Sequence, residues 1–187
     1  MIVEPRADQL VWLDGAFVPW RDATMHLSAH HYGVGVFEGV RSYRSDRGVH
    51  IFRLQEHTAR LLRSARILNI SIPGPYDQAR LNQVQVELLQ KNRLGDAYLR
   101  PFVFYGGTAG LSRNIKNLAV HVAVLVLEWT TAAYPDQNVV ARGIALRTSS
   151  FTRHHPNSGL IEAKANGNYM NAILALQEAQ ACGCEDA

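Results

Sequence analysis

Leu10-Val-Trp-Leu-Asp-Gly-Ala-Phe-Val18 decides how the chain starts to fold. Two short apolar runs flank Asp14-Gly15, and an Asp-Gly pair supplies the two positive-φ positions of a tight hairpin turn. Antiparallel β structure therefore opens the molecule. Working outward, Val34 to Tyr43 and Val49 to Phe52 read as strands around Ser45-Asp-Arg-Gly48, which predicts a second hairpin. The tract from Leu54 to Leu68 puts Leu54, Leu61, Ala65 and Leu68 on one helical face, while Arg60, Ser64 and Ile67 project from another side. Pro73-Gly-Pro75 interrupts the chain, and Tyr76 to Lys91 repeats the helical spacing with Leu81, Val84, Leu88 and Leu89 apolar. Ala97 to Tyr105 and Leu118 to Trp129 read as strands around the loop Gly106-Gly-Thr-Ala-Gly110.

The pattern predicts an α+β fold. Residues 1–132 form a small N-terminal domain of α/β type, with an antiparallel sheet and two helices. Residues 133–140, around Tyr134-Pro-Asp-Gln-Asn, read as an interdomain linker, and residues 141–187 as the start of a larger β-rich domain. There Ile144 to Ser150 is expected to begin new β structure, and Asn168 to Cys182 to form an amphipathic helix with Tyr169, Ile173 and Leu176 on one side.

Composition narrows the function classes. With 187 residues, 47% of them apolar and 19% charged, the chain can bury a real core, so disorder is excluded. The net charge is +3, but the arginines are scattered and form no basic stripe, so no nucleic-acid partner is expected. Leu118 to Leu127 is broken by His121 and far shorter than the roughly 20 residues of a membrane helix, so it reads as a buried strand and no membrane partner is expected. Glu4, Arg6 and Asp8 precede any apolar stretch, which is the wrong order for a signal peptide and predicts a cytoplasmic protein. Cys182 and Cys184 lack the second ligand pair of a zinc site, and the adjacent pairs His30-His31 and His154-His155 diverge, so no metal is expected. Nucleophile-elbow, phosphate-loop and zinc-protease motifs are absent, and Gly33-Val-Gly35 lacks the third glycine of a dinucleotide fingerprint.

Of the 19 basic residues only Lys91, Lys116 and Lys164 are lysines. Lys91 ends a helix, where a cation suits the free carbonyls, and Lys116 lies in a polar loop. Lys164 instead lies in Ile161-Glu-Ala-Lys-Ala-Asn-Gly-Asn-Tyr169, where small neighbours let a side chain enter a cleft. A lysine among apolar groups can lose its proton, and the neutral amine attacks aldehydes. On spacing alone a plain surface lysine stays open.

Four segments carry a resemblance. They are His31-Tyr-Gly-Val-Gly-Val-Phe-Glu-Gly-Val-Arg41, Phe52-Arg-Leu-Gln-Glu-His-Thr-Ala-Arg-Leu61, Tyr98-Leu-Arg-Pro101 and Ala163-Lys-Ala-Asn-Gly-Asn-Tyr-Met-Asn171. In this order, from about Leu10 to the last residue, the chain resembles the branched-chain amino acid aminotransferase family of fold type IV pyridoxal phosphate enzymes. The Tyr-Gly-x-x-x-Phe-Glu-Gly-x-Arg form separates it from type IV relatives that carry Asp-Gly-Val-Tyr-Glu or Asp-Gly-Val-Phe-Glu.

The resemblance implies pyridoxal 5'-phosphate as cofactor and Lys164 as the catalytic residue, joined to the cofactor as a Schiff base and moving the substrate proton once displaced. It implies Arg60 at the cofactor phosphate and Tyr169 at the ring oxygen. Tyr32, Phe37 and Gly39, with Tyr134, are implied to wall an apolar side-chain pocket. Strand alternation would put Phe37 and Gly39 on one face, with Gly39 leaving room for the ligand. Tyr98 and Arg100 are implied to let that pocket accept glutamate, Arg100 meeting the γ-carboxylate. The implied reaction is transamination of branched-chain L-amino acids (leucine, isoleucine, valine) with 2-oxoglutarate, by a homodimer or larger homo-oligomer. The family's large domain runs past Ala187 and holds the glutamate for the pyridine nitrogen, so the chain is expected to be an N-terminal portion, and a 187-residue product to be crippled. A D-amino acid aminotransferase, an aminodeoxychorismate lyase and a non-catalytic dimerisation module remain open.

Overall fold

Asp14 and Gly15 adopt φ values of 46° and 102°, the pair of positive values the tight hairpin needs, and they join β1 (Leu10–Leu13) to β2 (Ala16–Pro19). Asp14 also pins the turn to a distant strand. Its Oδ1 accepts the Val122 N–H at 2.8 Å, and its Oδ2 lies 2.5 Å from His121 Nδ1. The structure is a computed structural model that describes residues 5–25, 32–107, 114–115, 117–129 and 139–187. The sheet is completed by β3 (Gly35–Phe37), β4 (Val40–Ser45), β5 (Gly48–Ile51), β6 (Ala97–Gly106) and β7 (Ala119–Glu128). All pairs are antiparallel, in the order β2-β1-β7-β6-β4-β5, with β3 also paired to β6.

Alternation along β6 divides the molecule into two faces. Ala97, Leu99 and Val103 are fully buried, packed with α1 (Leu54–Ile67) and α2 (Gln78–Asn92), whose Leu61, Ala65, Leu81, Val84 and Leu88 complete the core with Val122, Val124 and Val126. Burying each of these leucines and valines contributes about 1.5–3 kcal/mol. Tyr98, Arg100, Phe102 and Phe104 occupy the alternate positions and face away from that core. The predicted face of α1 holds, with Leu61 and Ala65 buried and Leu54 and Leu68 partly so. Asp77 caps α2 by accepting the Arg80 N–H at 2.8 Å.

The continuous strand expected from Val34 to Tyr43 is broken at Glu38-Gly39. The cause lies across the sheet at Pro101. Its carbonyl accepts the Glu38 N–H at 2.9 Å, so the same edge, where an N–H would stand, faces the break. Proline has no donor to offer there, so interrupting the partner forfeits little pairing. The strand expected at Ile144 to Ser150 is also absent. Only Leu146 bridges to Asp186, and both Ile144 and Leu146 are exposed. A strand needs a ladder, and the described residues offer this stretch a single partner.

A short helix α3 (Val139–Arg142) precedes that stretch, and α4 (Tyr169–Ala181) follows it close to the predicted Asn168 to Cys182. Residues 133–138 of the expected linker, Tyr134 among them, lie outside the described residues, as do His30-His31, Thr108 to Gly110 and Lys116. Among the described residues no helix is long and apolar enough to cross a membrane, and no group of three or more His, Cys, Asp or Glu could hold a metal ion.

Glu178 on α4 holds the irregular stretch in place of a ladder. Its Oε2 accepts the Ser149 hydroxyl at 2.6 Å and the Ser150 N–H at 2.8 Å. These bonds, the Ser149 one foremost, hold the carboxyl at about 2 instead of 4.5. A depressed carboxylate pKa contributes stability that is present above the unfolded value and lost as pH falls through the folded one. The Ser150 amide should therefore lose its protection from hydrogen exchange as pH drops from ~4.5 toward ~2. In Glu178→Gln the same amide should exchange fast already near neutral pH, as NMR would record.

Candidate active site

Lys164 is seated by its backbone before its side chain does anything. Its carbonyl accepts the Phe37 N–H at 3.1 Å, and its own N–H donates to Ser64 Oγ on α1 at 3.1 Å. Ala165 bridges to Val36, and the flanking Ala163 and Ala165 are buried. The small residues around the lysine thus add the segment to β3 and press it against α1. Ser64, on the second face of that helix, is the partner the periodicity exposed without naming.

The side chain then enters a cavity of about 620 Å³. Lys164 Nζ donates a hydrogen bond to the Tyr169 hydroxyl and lies 4.7 Å from the Phe37 ring centre and 4.9 Å from that of Tyr169. The two rings are 4.9 Å apart, so the amine sits against a pair of aromatic faces. Phe37, Tyr98, Arg100, Phe102, Phe104 and Tyr169 share the wall with Lys164. Another cavity, of about 550 Å³ between Ala59 and Gln78, contains none of the predicted residues.

Arg100 is the charged part of the wall. Its guanidinium lies 5.3 Å from the ring centres of both Phe37 and Tyr98, Nη2 donates to the Tyr98 hydroxyl at 3.4 Å, and Nε is buried with no hydrogen-bond partner. Behind Tyr98, Arg41 stacks 3.7 Å from the Trp129 ring centre.

The predicted residues do not all meet in the cavity. Lys164, Tyr169, Phe37, Tyr98 and Arg100 do, whereas Tyr32 is 43% exposed beside the wall at Gly33. The room expected at Gly39 for a ligand is occupied by the Tyr98 ring: a Cβ at Gly39 would lie 2.2 Å from the Tyr98 hydroxyl. Arg60 stands apart from the wall and is gripped by Glu38, Nη2 donating to Oε2 at 2.7 Å and Nε donating to Oε1. Glu38, fully buried, and His57, 3.0 Å from its Oε2, went unassigned from sequence. The available signal was an acid between the apolar Phe37 and a glycine in a strand-like run, since buried acids need a paired cation. Burial pushes the Glu38 pKa up, yet the hydrogen bonds from Arg60 and His57 hold it below the ordinary 4.5.

Residues 35–187 match the class IV aminotransferase family, and the chain belongs to it. Within that class it is 47% identical over 182 residues to a branched-chain-amino-acid aminotransferase of Pseudomonas aeruginosa, a match that covers 96% of this chain and 58% of the relative. Among solved structures, the T.th. branched-chain amino acid aminotransferase with pyridoxamine 5'-phosphate superposes with a TM-score of 0.86 at 37% identity, covering 95% of this chain and 58% of that one. Its complex with N-(5'-phosphopyridoxyl)-L-glutamate gives 0.84 at 36%, covering 95% and 57%. The chain thus spans just over half the length of these relatives.

The donor set suits a cofactor of the kind in those structures. A primary amine stands ready for an aldehyde, a phenol lies beside it, and the half-exposed Arg60 guanidinium projects from α1 one turn before Ser64, which holds the Lys164 backbone. No carboxylate lines the cavity among the described residues, so these residues leave a pyridine nitrogen without an acidic partner.

Gly39→Ala should drive its methyl into the Tyr98 ring. The variant is expected to lose about 1–3 kcal/mol of stability in urea unfolding, as overpacked positions do.

Proposed function

We propose that the protein catalyses pyridoxal phosphate-dependent transamination of branched-chain L-amino acids with 2-oxoglutarate, giving branched 2-oxo acids and glutamate. The observation that carries this reading is the Lys164 amine, hydrogen-bonded to Tyr169 against the ring of Phe37, in a cavity whose remaining wall combines aromatic rings with Arg100. The names of the relatives support the substrate class.

When bound, pyridoxal phosphate supplies an electron sink that makes the substrate Cα–H acidic. Lys164 Nζ is both the point of attachment and the group that holds and moves that proton. Tyr169 orients Nζ and would meet the ring oxygen, and Arg60 would meet the phosphate. Phe37, Phe102 and Phe104 keep water from the amine and give an aliphatic side chain an apolar wall. Arg100, with its unpartnered Nε, would receive the second carboxylate of glutamate or 2-oxoglutarate. Tyr32, Gly39 and Tyr134 belong to the same substrate pocket in this reading, Gly39 through the ring of Tyr98. The protein would work in the cytoplasm as a homodimer or larger assembly on small molecules, with no nucleic-acid or membrane partner, its two domains divided at residues 133–140.

Two measurements test the reading. A protein of the relatives' full length that carries these residues should form glutamate from L-leucine and 2-oxoglutarate with pyridoxal phosphate, these 187 residues alone should be crippled, and Lys164→Ala in the longer protein should lose at least ~1,000-fold in rate, since it removes both nucleophile and proton carrier. Turnover of D-alanine without L-leucine would overturn the substrate assignment. Arg100→Met should raise KM for 2-oxoglutarate about 10- to 100-fold, the worth of a charge-assisted hydrogen bond, and change KM for 4-methyl-2-oxopentanoate less than about threefold.

A further inference from the structure

Glu38 is fully buried, and every polar atom of its carboxylate is occupied. Arg60 supplies Nε to Oε1 and Nη2 to Oε2, His57 Nδ1 lies 3.0 Å from Oε2, and the Gly39 N–H donates to Oε2 at 3.3 Å. This two-pronged grip uses one edge of the guanidinium. A guanidinium is planar and carries five N–H donors, so three remain on the edge turned away from the carboxylate. The Arg60 side chain is 48% exposed, so that edge is open.

The placement of Glu38 in the chain gives the grip a further consequence. Phe37, the residue before it, donates its N–H to the Lys164 carbonyl and lays its ring beneath Lys164 Nζ. Glu38 then holds Arg60 from the buried side of the same break in the strand. Alternation sends these two consecutive side chains to opposite faces, and the register with β6 is the same before and after them, so two adjacent residues set where the amine and the guanidinium stand relative to each other.

We propose that Glu38 is a positioning residue for the phosphate end of the cofactor: by holding one edge of Arg60 from a buried site, it presents the other edge, already aligned, to a phosphate monoester. The proposal rests on the reading that Arg60 meets the phosphate. A long arginine side chain left free would have to be ordered on binding, and a guanidinium fixed beforehand avoids that loss. His57 Nδ1 lies 3.0 Å from Oε2, so a second side chain also faces the buried carboxylate that grips Arg60.

Equilibrium dialysis with pyridoxal phosphate and with unphosphorylated pyridoxal tests this, because only the first carries the group Arg60 would recognise. Glu38→Gln should weaken pyridoxal phosphate about tenfold, as losing one charge-assisted contact does, and change pyridoxal less than about twofold. Arg60→Lys keeps the charge but cannot be gripped on two prongs, so it should show the same selective loss and also serves if Glu38→Gln fails to fold. Equal losses for both ligands would make Glu38 merely structural and overturn the proposal. A selective loss in Arg60→Met with none in Arg60→Lys or Glu38→Gln would overturn it while sparing the Arg60 assignment. No selective loss in Arg60→Met would remove that assignment and the proposal with it.

Discussion

The hydrogen bond from the Phe37 N–H to the Lys164 carbonyl, 3.1 Å long, is the contact on which the site depends. β3 has only three residues and pairs with β6 along one side. Its other side would be an open edge if the segment around Lys164 did not lie along it, with Ala165 bridging to Val36. Ser64 adds a third attachment from α1. A lysine fixed at its backbone on both flanks needs only side-chain torsions to move its amine, so Nζ can meet or leave a partner without disturbing the sheet. The buried alanines on either side are the condition for this, since larger residues would hold the segment off the strand.

Features whose cause is local were legible in the sequence. The Asp14-Gly15 hairpin, the helices α1 and α2 and the long strands β6 and β7 each follow from a turn dipeptide, a helical stripe or an apolar run. Features caused across the sheet were hidden. The break at Glu38-Gly39 answers to Pro101, and the space at Gly39 is filled by Tyr98, a residue of another strand. Ser64 and Arg60 both projected from the correct side of α1, but their partners Lys164 and Glu38 lie far off in the chain. The apolar run from Ile144 to Ser150 misled in the opposite sense, because among the described residues it finds one bridge partner, Asp186, and strand propensity alone makes no ladder.

The three site arginines differ in what surrounds them, and that sorts their physical roles. Arg60 has an acid and an open edge. Arg41 is stacked closely on Trp129 and also lies 5.0 Å from the Tyr43 ring, so it stiffens the support behind Tyr98 and leaves the cavity itself alone. Arg100 has neither acid nor close stack. Its charge rests on two rings at 5.3 Å and one phenol at 3.4 Å, which is weak compensation for a half-buried guanidinium.

The double specificity proposed for the cavity would draw on that weakness. An aliphatic chain entering the cavity would lie against Phe37, Phe102 and Phe104 and leave the contacts of Arg100 with its two rings in place. A carboxylate entering the same space would find an unpartnered Nε and a phenol that can turn from acceptor to donor. Had Arg100 been paired with a buried acid, the second ligand would have had to break an ion pair in a poorly solvated site, which costs far more than displacing a ring contact. Among the described residues no acid stands on the cavity wall, so the proposed entry of a second carboxylate beside Arg100 would not have to break an ion pair.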